Sequence, residues 1–110
     1  MHIHSLSRAE IVAFQRTVRK KVHGELFSVA VAHGAATPSL RYACVVSKKI
    51  ARKAVERNRI KRLCRAALQK ESKTIAKPLT VLLYAKGGAV HASSQEVSQE
   101  IQSLLRKFST

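Results

Sequence analysis

Residues 48–65 read KKIARKAVERNRIKRLCR, with nine Lys or Arg residues and Glu56 as the only acid. A run this basic is typical of a solvated tail, but this one is also periodic. Apolar residues recur at i, i+3, i+4 and i+7, the spacing of one helix face: Ile60, Leu63, Cys64 and Ala67. Polar and basic residues recur on the opposite face: Asn58, Lys61, Arg62, Arg65 and Gln69. The pattern predicts a helix that docks by its apolar face and presents fixed positive charge to a phosphate-rich partner.

The whole chain is strongly basic. Its 110 residues carry a net charge of +15, from 21 Lys and Arg against six acids, all of them glutamate. Such a chain repels itself unless a polyanion neutralises it. The length fits a single domain covering residues 1–110. We see no secretory signal and no apolar run of the roughly 18 residues that a membrane span needs, so we expect a soluble cytoplasmic protein.

Ahead of the basic stretch, the sequence predicts a helix and two strands. Residues 1–6 read as a flexible lead-in with surface histidines. Ser7 and Glu10 form a capping-box pattern, and an apolar stripe then predicts a helix that ends near Gly24. Segments 25–33 and 40–47 predict strands, because they are rich in β-branched, aromatic and alternating residues. The short connection between them favours antiparallel pairing. The stripe of the helix consists of Ile11, Phe14, Val18 and Val22.

After the basic stretch, the pattern predicts one more strand and one more helix. The basic helix is expected to continue past Leu68 and to break at Lys77-Pro78. Residues 79–85 are nearly all apolar, which is typical of a central strand covered on both faces. Ser93 and Glu96 form a second capping box before a C-terminal helix. The predicted fold class is therefore α+β: a single-domain α-β sandwich with a small mixed sheet covered by helices. The stripe of the last helix consists of Val97, Ile101, Leu104, Leu105 and Phe108.

The residues offer little material for catalysis. The five histidines fall in no recognisable catalytic signature, and scattered glutamates are poor ligands for a pair of metal ions. Cys44 and Cys64 are predicted to be buried thiols in a reducing compartment rather than a bridge or a metal site. The basic helix face, Asn58, and Phe14 with Tyr42 as aromatic platforms favour nucleic-acid binding. The residues alone thus indicate an RNA- or DNA-binding domain, with a membrane surface or an acidic protein as less favoured partners.

Ser47-Lys48-Lys49 followed by AVERNRIKR at 54–62 and Arg65 resembles the signature of the bacterial ribonuclease P protein component. In that family, a strand ending in S-K-K leads into a helix with the pattern A-V-x-R-N-R-x-K-R-x-x-R. Two outer segments agree: AFQR at 13–16 resembles the first-helix pattern, and LTVLLYAKG at 79–87 resembles the last strand. The resemblance therefore covers most of the chain.

The resemblance implies both a fold and a function. The sandwich would contain a left-handed β-α-β crossover through the basic helix, against the usual right-handed rule. The protein would be the accessory subunit of a ribonucleoprotein endoribonuclease that removes the 5′ leader of precursor tRNA. Its partners would be ribonuclease P RNA and precursor tRNA, with no membrane and no small-molecule substrate. The RNA would carry the active site, and Mg²⁺ would be held mainly by the RNA and the substrate. No catalytic or metal-binding residue is expected in the protein.

The same resemblance assigns two sets of site residues. By the resemblance, the residues that would contact RNA are Lys48, Lys49, Arg57, Asn58, Arg59, Lys61, Arg62 and Arg65. The predicted RNA-binding set adds Arg52 and Lys53 from the same basic stretch. The predicted leader-binding cleft consists of Phe14, Arg16, Val18 and Tyr42. The chain departs from the family pattern at Val18, where many members carry a second aromatic residue. It departs again at Ala51-Arg52, where many members have Gly-Asn.

Two other functions stay open from the sequence. A ribosomal protein that braces ribosomal RNA would suit the size, charge and fold class. The feature that favours the ribonuclease P hypothesis over a ribosomal protein is the Arg-Asn-Arg helix that follows Ser-Lys-Lys. A stand-alone nuclease or toxin is disfavoured, because no carboxylate or histidine constellation is visible.

Overall fold

A mixed five-stranded sheet carries helices on both faces in a computed structural model, which describes residues 2–17, 21–33, 39–73 and 79–107. The predicted α+β sandwich is confirmed. In chain order the elements are β1 (His2–Ser5), α1 (Arg8–Thr17), β2 (Lys21–His23), β3 (Phe27–His33), β4 (Ser39–Val45), α2 (Ala54–Glu71), β5 (Leu79–Ala85), a 3-10 helix (Gly87–His91) and α3 (Ser94–Arg106).

The apolar strand β5 is the centre of the sheet. The strand order is β1-β4-β5-β3-β2, so β5 runs parallel to β4 on one edge and antiparallel to β3 on the other. Val81 and Leu83 face one core, and Leu82 faces the other. A strand that is covered on both faces needs apolar side chains in both directions. The prediction of a central, doubly covered strand at 79–85 is confirmed.

The strands β3 and β4 follow each other in the chain but are not neighbours in the sheet. The predicted hairpin between them is wrong, although their relative direction is antiparallel as expected. With β5 between β3 and β4, the most apolar strand has hydrogen-bonding partners along both of its edges. The shorter strands β1 and β2 then form the edges of the sheet. The β4–α2–β5 segment is therefore a parallel crossover. Its left hand stays a prediction from the family resemblance.

The predicted flexible lead-in is instead an edge strand. β1 pairs in parallel with β4, with Ile3 opposite Leu40. Ile3 packs against the larger core, and the Leu6 N–H donates to the Tyr42 carbonyl at 2.7 Å. The pairing rests on backbone hydrogen bonds, and a four-residue segment with one large apolar side chain gives almost no periodic signal for it.

The first helix ends earlier than its apolar stripe suggests. α1 ends at Thr17, and the segment expected to be its last turn forms β2. Val22 pairs with Val29 of β3 and packs against the larger core, on the side of the sheet away from α1. The helical spacing from Phe14 to Val22 was therefore coincidental. Val18, the remaining member of that stripe, lies outside the described residues.

Two cores lie on the two faces of the sheet. The larger core joins the sheet to α2, α3 and the 3-10 helix, and includes Phe27, Leu40 and Val81. The smaller core lies beneath α1 and centres on Phe14, Ala30, Ala43 and Leu82. The two helical layers are therefore kept apart by the sheet, and side chains on alternate strand positions belong to different sides of the molecule.

The helix α2 docks by the face that its spacing predicted. Ile60, Cys64 and Ala67 are buried in the larger core, Leu68 joins them, and Leu63 is half-buried. Burial of this stripe holds the opposite face at a defined angle to the sheet.

The helix begins later than predicted and, as expected, continues past Leu68. It begins at Ala54, so residues 48–53 precede it as turns and extended backbone. It ends at Glu71, where the Ser72 hydroxyl donates to the Gln69 carbonyl at 2.7 Å. Lys77-Pro78, the expected break, lies outside the described residues. No helix in the described ranges has a stretch both long and apolar enough to cross a bilayer.

The two predicted capping boxes are present. The Ser7 N–H donates to Glu10 at 3.0 Å, and the Glu10 N–H donates back to the Ser7 hydroxyl at 3.2 Å. At α3, the Ser93 N–H donates to Glu96 Oε1 at 3.0 Å, and the Glu96 N–H donates to the Ser93 hydroxyl at 3.1 Å. The backbone bond from Ser93, followed by the contact with its hydroxyl, lowers the pKa of the Glu96 carboxyl below its ordinary value.

This lowered pKa predicts a small acid-range dependence of stability. Because the folded-state pKa lies below the unfolded one, the stabilisation is present at neutral pH and is lost as the pH falls through the folded-state pKa. We expect Glu96→Gln to flatten the fall in thermal midpoint on acidification from about pH 7 to about pH 3. Glu25→Gln, at an exposed glutamate, is the control. A Glu96→Gln profile parallel to that of the wild type would contradict the prediction.

Candidate nucleic-acid interface

Most of the predicted RNA-binding residues lie on one exposed surface. We name it the cationic surface and define it by the eight residues of the set whose side chains are exposed. These residues come from the turns before α2 and from the outward face of that helix. They are Lys48, Lys49, Arg52, Lys53, Asn58, Lys61, Arg62 and Arg65. The four members on α2 lie on the side of the helix away from its buried stripe, and the other four are exposed in the segment that leads directly into the helix.

The turns before α2 are held by backbone and side-chain bonds. The Ser47 carbonyl accepts from the N–H groups of Ile50 and Ala51 at 3.1 and 3.0 Å, which folds the chain tightly around Lys48 and Lys49. Ala51 is buried, so it anchors the segment to the larger core. The lysines therefore project from a defined turn rather than from a loose loop.

Arg57 ties this turn to the helix. Its Nη1 group donates to the Ala51 carbonyl at 2.9 Å and to the Arg52 carbonyl at 2.8 Å. The side chain is half-buried, unlike the exposed members of the cationic surface. Its place in the predicted RNA-binding set stays a prediction. In the structure, these two hydrogen bonds hold the backbone at Ala51 and Arg52 against the first turn of α2.

Arg59 connects α2 to the segment after β5. It donates from Nη2 to the Ala92 carbonyl at 2.8 Å and from Nη1 to the Val90 carbonyl at 3.5 Å. These carbonyls lie at the end of the 3-10 helix, just before α3 begins. The half-buried guanidinium therefore ties α2 to the end of the 3-10 helix, and its predicted RNA contact stays a prediction.

Tyr42 lies on the opposite face of the sheet from Phe14. It is 7% exposed within the larger core, and its hydroxyl accepts from Arg65 Nη1 at 3.0 Å. Phe14 lies in the smaller core beneath α1. The expectation that both rings line one cleft is therefore wrong. Successive residues of β4 point to opposite faces of the sheet, so Tyr42 enters the larger core while Ala43 packs with Phe14 in the smaller one. Tyr42 instead orients an arginine of the cationic surface.

The remaining residues of the predicted cleft lie on or near α1. Phe14 is 9% exposed and packs against Ala30, Ala43 and Leu82, so most of its ring is a core surface. Arg16 is exposed in the last turn of the same helix. Val18 lies outside the described residues.

A polar patch missed by the sequence reasoning lies beside α1, and we name it the open sheet face. Tyr84 of β5 is half-buried there, its hydroxyl accepts from Gln15 Nε2 at 3.0 Å, and Lys21 Nζ lies 4.2 Å from the centre of its ring. His23 Nδ1 lies 2.7 Å from the Ser28 hydroxyl on the same side. The alternation of Leu82 and Tyr84 along β5 was the available signal for Tyr84. Lys21 and His23 could not be placed without β2. The open sheet face consists of Gln15, Lys21, His23, Ser28 and Tyr84.

Most glutamates are committed to structural bonds. Glu10 pairs with Arg41 across α1 and β4, Glu56 accepts from the Lys53 N–H at 3.3 Å, and Glu100 accepts backbone bonds from residues 25–27. Among the described residues, no three His, Cys, Asp or Glu side chains gather into a possible metal site.

Fold and surface together define a small α+β sandwich that presents a rigid basic helix. The chain belongs to the Ribonuclease P family, whose sequence model matches residues 6–109. A curated relative, the Ribonuclease P protein component of Bacillus velezensis, is 44% identical over 70 residues. That match covers 64% of this chain and 59% of the Bacillus protein, which is less than two thirds of the relative's length.

Solved structures share the fold. An RNase P protein mutant from Staphylococcus aureus, with defective mRNA degradation activity, superposes with a TM-score of 0.82 at 20% identity. The superposition covers 96% of this chain and 87% of that one. The RNase P protein from Thermotoga maritima superposes with a TM-score of 0.78 at 20% identity, over 91% of this chain and 92% of its own. At these identities the likeness establishes the architecture alone.

Proposed function

We propose that this protein is the protein subunit of ribonuclease P. It binds the catalytic RNA and the 5′ leader of precursor tRNA, and so assists the endonucleolytic release of the leader. The observation that carries the proposal is the cationic surface on a docked helix, in a chain of the Ribonuclease P family. The chemistry is assigned to the RNA subunit, and the protein acts by binding and positioning.

The cationic surface suits a folded polyanion. Burial of Ile60, Cys64 and Leu68 fixes the helix, so its outward charges keep one spacing instead of sampling many. Neutralising phosphates releases condensed counterions and lowers the repulsion between two RNA molecules brought together. We expect the protein to reduce the magnesium concentration at which the RNA subunit cleaves its substrate.

The open sheet face supports a second contact. It lies on the other side of the sheet from α2, so the protein can bind two nucleic-acid segments at once. Tyr84 offers a half-buried aromatic ring, and Lys21 and the exposed Arg16 add positive charge nearby. An aromatic ring beside cations is the combination that binds single-stranded nucleic acid with little base preference. We assign the leader to this face, with Tyr84 in the place first given to Tyr42.

The proposal is tested by cleavage of a 5′-labelled precursor tRNA at low magnesium. The reaction is run with a bacterial ribonuclease P RNA alone, with the protein alone, and with both. We expect accurate cleavage only when both are present. If the protein does not stimulate cleavage by the RNA at any magnesium concentration, the hypothesis of a ribosomal protein would be favoured. Cleavage by the protein alone would overturn the assignment of chemistry to the RNA.

Two arginine variants separate RNA contact from structure. We expect Arg62→Ala to weaken assembly with the RNA by about 1–3 kcal/mol, the range for one charge-assisted contact. Its thermal midpoint should match that of the wild type, because the side chain is exposed. The slope of log affinity against log salt should fall by about one.

Arg59→Ala is the matched comparison, because it removes the same charge three residues away. It should lower the thermal midpoint as well, since the Val90 and Ala92 carbonyls lose their donor. Filter binding across a salt series and thermal melts measure both quantities. Arg62→Ala with unchanged affinity would remove this residue from the interface.

A further inference from the structure

Two cysteines from different elements meet inside the protein. Cys44 Sγ lies 3.1 Å from Cys64 Sγ, and both residues are free thiols. Cys44 is half-buried on β4, and Cys64 is fully buried on α2. Twenty positions separate them in the sequence. The proposed RNA-binding function uses neither sulfur.

The packing of α2 on the sheet brings the two sulfurs together. Cys44 alternates with Leu40 and Tyr42 on the side of β4 that faces the larger core. Cys64 belongs to the buried stripe of α2 with Ile60, Ala67 and Leu68. Docking of the stripe onto the sheet thus aims both side chains at one point. A disulfide has a sulfur–sulfur bond of about 2.05 Å, so closure needs an approach of only about 1 Å.

We propose that Cys44 and Cys64 form a site of reversible oxidation, at which a peroxide converts the thiol pair into a disulfide between β4 and α2. In the first step the Cys44 sulfur attacks one peroxide oxygen, the O–O bond breaks, and Cys44 becomes a sulfenic acid as water leaves. In the second step the Cys64 sulfur attacks the Cys44 sulfur, and the sulfenic hydroxyl leaves as water with the Cys64 proton. One hydrogen peroxide is reduced to two waters, and two thiols are oxidised to one disulfide. A small dithiol reverses the reaction by exchange.

The order of the two steps follows from the surroundings of each sulfur. Cys44 is the half-buried partner, so a small oxidant reaches it first. The hydrogen bond with Cys44, followed by burial, raises the pKa of the Cys64 thiol. Burial and the raised pKa make Cys64 the less reactive thiol toward peroxide, and the Cys44 sulfur 3.1 Å away lies within its reach once that sulfur is oxidised, which is the position of a resolving cysteine.

The bridge would lock the helix that carries the cationic surface. The Arg65 bond to the Tyr42 hydroxyl lies beside the cysteine pair, one residue along α2 and two along β4. A disulfide at this point adds a covalent link between the same two elements. It leaves the outward side chains of α2 exposed, because both sulfurs lie on the docked side. Oxidation would therefore stabilise the fold while keeping the cationic surface available.

The test begins with the purified full-length protein and hydrogen peroxide at low molar excess. We expect intact mass spectrometry to show the loss of two hydrogen atoms, reversed by dithiothreitol. Tryptic digestion without reductant should yield one cross-linked pair, YACVVSK (42–48) joined to LCR (63–65). The thermal midpoint of the oxidised protein should rise by about 10–15 °C, the shift that the entropy of closing a loop of this size implies.

Two variants test the order of reaction. In Cys64→Ala, the Cys44 sulfenic acid has no partner and should be trapped by dimedone. In Cys44→Ala, dimedone labelling should be absent and Cys64 should stay a thiol. Circular dichroism of both variants establishes that they are folded before treatment. Oxygen addition to Cys44 without a cross-link in the wild type would overturn the proposal. So would a disulfide found only between two protein molecules on a non-reducing gel, or dimedone labelling of Cys64 in the Cys44→Ala variant.

Discussion

Replacing Phe14 with alanine is expected to lower the free energy of unfolding by about 3–5 kcal/mol, the usual cost of deleting a buried aromatic ring. Phe14 is 9% exposed and is the largest side chain at the centre of the smaller core, against Ala30, Ala43 and Leu82. These neighbours are held by the three central strands of the sheet and cannot close the gap. Urea unfolding followed by circular dichroism measures the change.

The controls for Phe14 separate packing from a contact with RNA. Val12→Ala, on the same helix at a position that is 44% exposed, should cost far less. Phe14→Leu keeps most of the volume and should recover much of the stability. If Phe14→Leu is folded but binds precursor tRNA less tightly, while its binding of mature tRNA is unchanged, the ring contacts the leader.

Equal binding by this variant and the wild type would assign Phe14 to the core alone. A Phe14→Ala variant within 1 kcal/mol of the wild type would contradict the predicted packing role.

Glu100→Gln is expected to lower the free energy of unfolding by about 2–4 kcal/mol, because one carboxylate holds three consecutive backbone donors. The N–H of Glu25 donates to Oε1 at 2.9 Å, and those of Leu26 and Phe27 donate to Oε2 at 2.8 and 2.7 Å. These bonds tie α3 to the connection between β2 and β3. An amide has only one oxygen and would turn its NH₂ group toward a donor.

The contact of Glu100 with this backbone also explains why a glycine occupies position 24. A Cβ on Gly24 would lie 2.8 Å from the Glu100 carboxyl carbon, so only glycine lets the carboxylate approach this backbone. Glu25→Gln is the matched control for Glu100→Gln, since it makes the same charge change on an exposed side chain of the same cluster. We expect it to stay within about 0.5 kcal/mol of the wild type. Equal losses in the two variants would show that net charge, and not the backbone bonds, sets the effect.

Elements governed by local periodicity were predicted well. The stripe Ile60, Cys64 and Ala67 identified the docked face of α2, and the apolar run at 79–85 identified the central strand with its observed bounds. Both capping boxes were also read correctly, because their partners lie only three residues apart. The same helical spacing placed Asn58, Lys61, Arg62 and Arg65 on the exposed side.

Elements governed by distant partners were not predictable. β1 and β2 exist because the backbones of β4 and β3 lie beside them, and their own short segments carry no pattern. Tyr42 was placed with Phe14 for its residue type, although the sheet separates the two rings. The helical spacing put Arg57 and Arg59 at the borders between the two faces of α2 but gave no sign of their carbonyl partners. Their carbonyl partners become available only after the turns at 51–52 and 90–92 are folded.

The sequence by itself determined the amphipathic basic helix, the central strand, the family and the sign of the charge, because each is written in residue type and short-range spacing. The tertiary structure decided the strand order, which basic side chains anchor the fold and which face solvent. It also decided that Cys44 meets Cys64. The strand order and these side-chain contacts depend on which segments pack around β5 and in the two cores. Contacts between residues far apart in the chain produce no periodic pattern in the sequence.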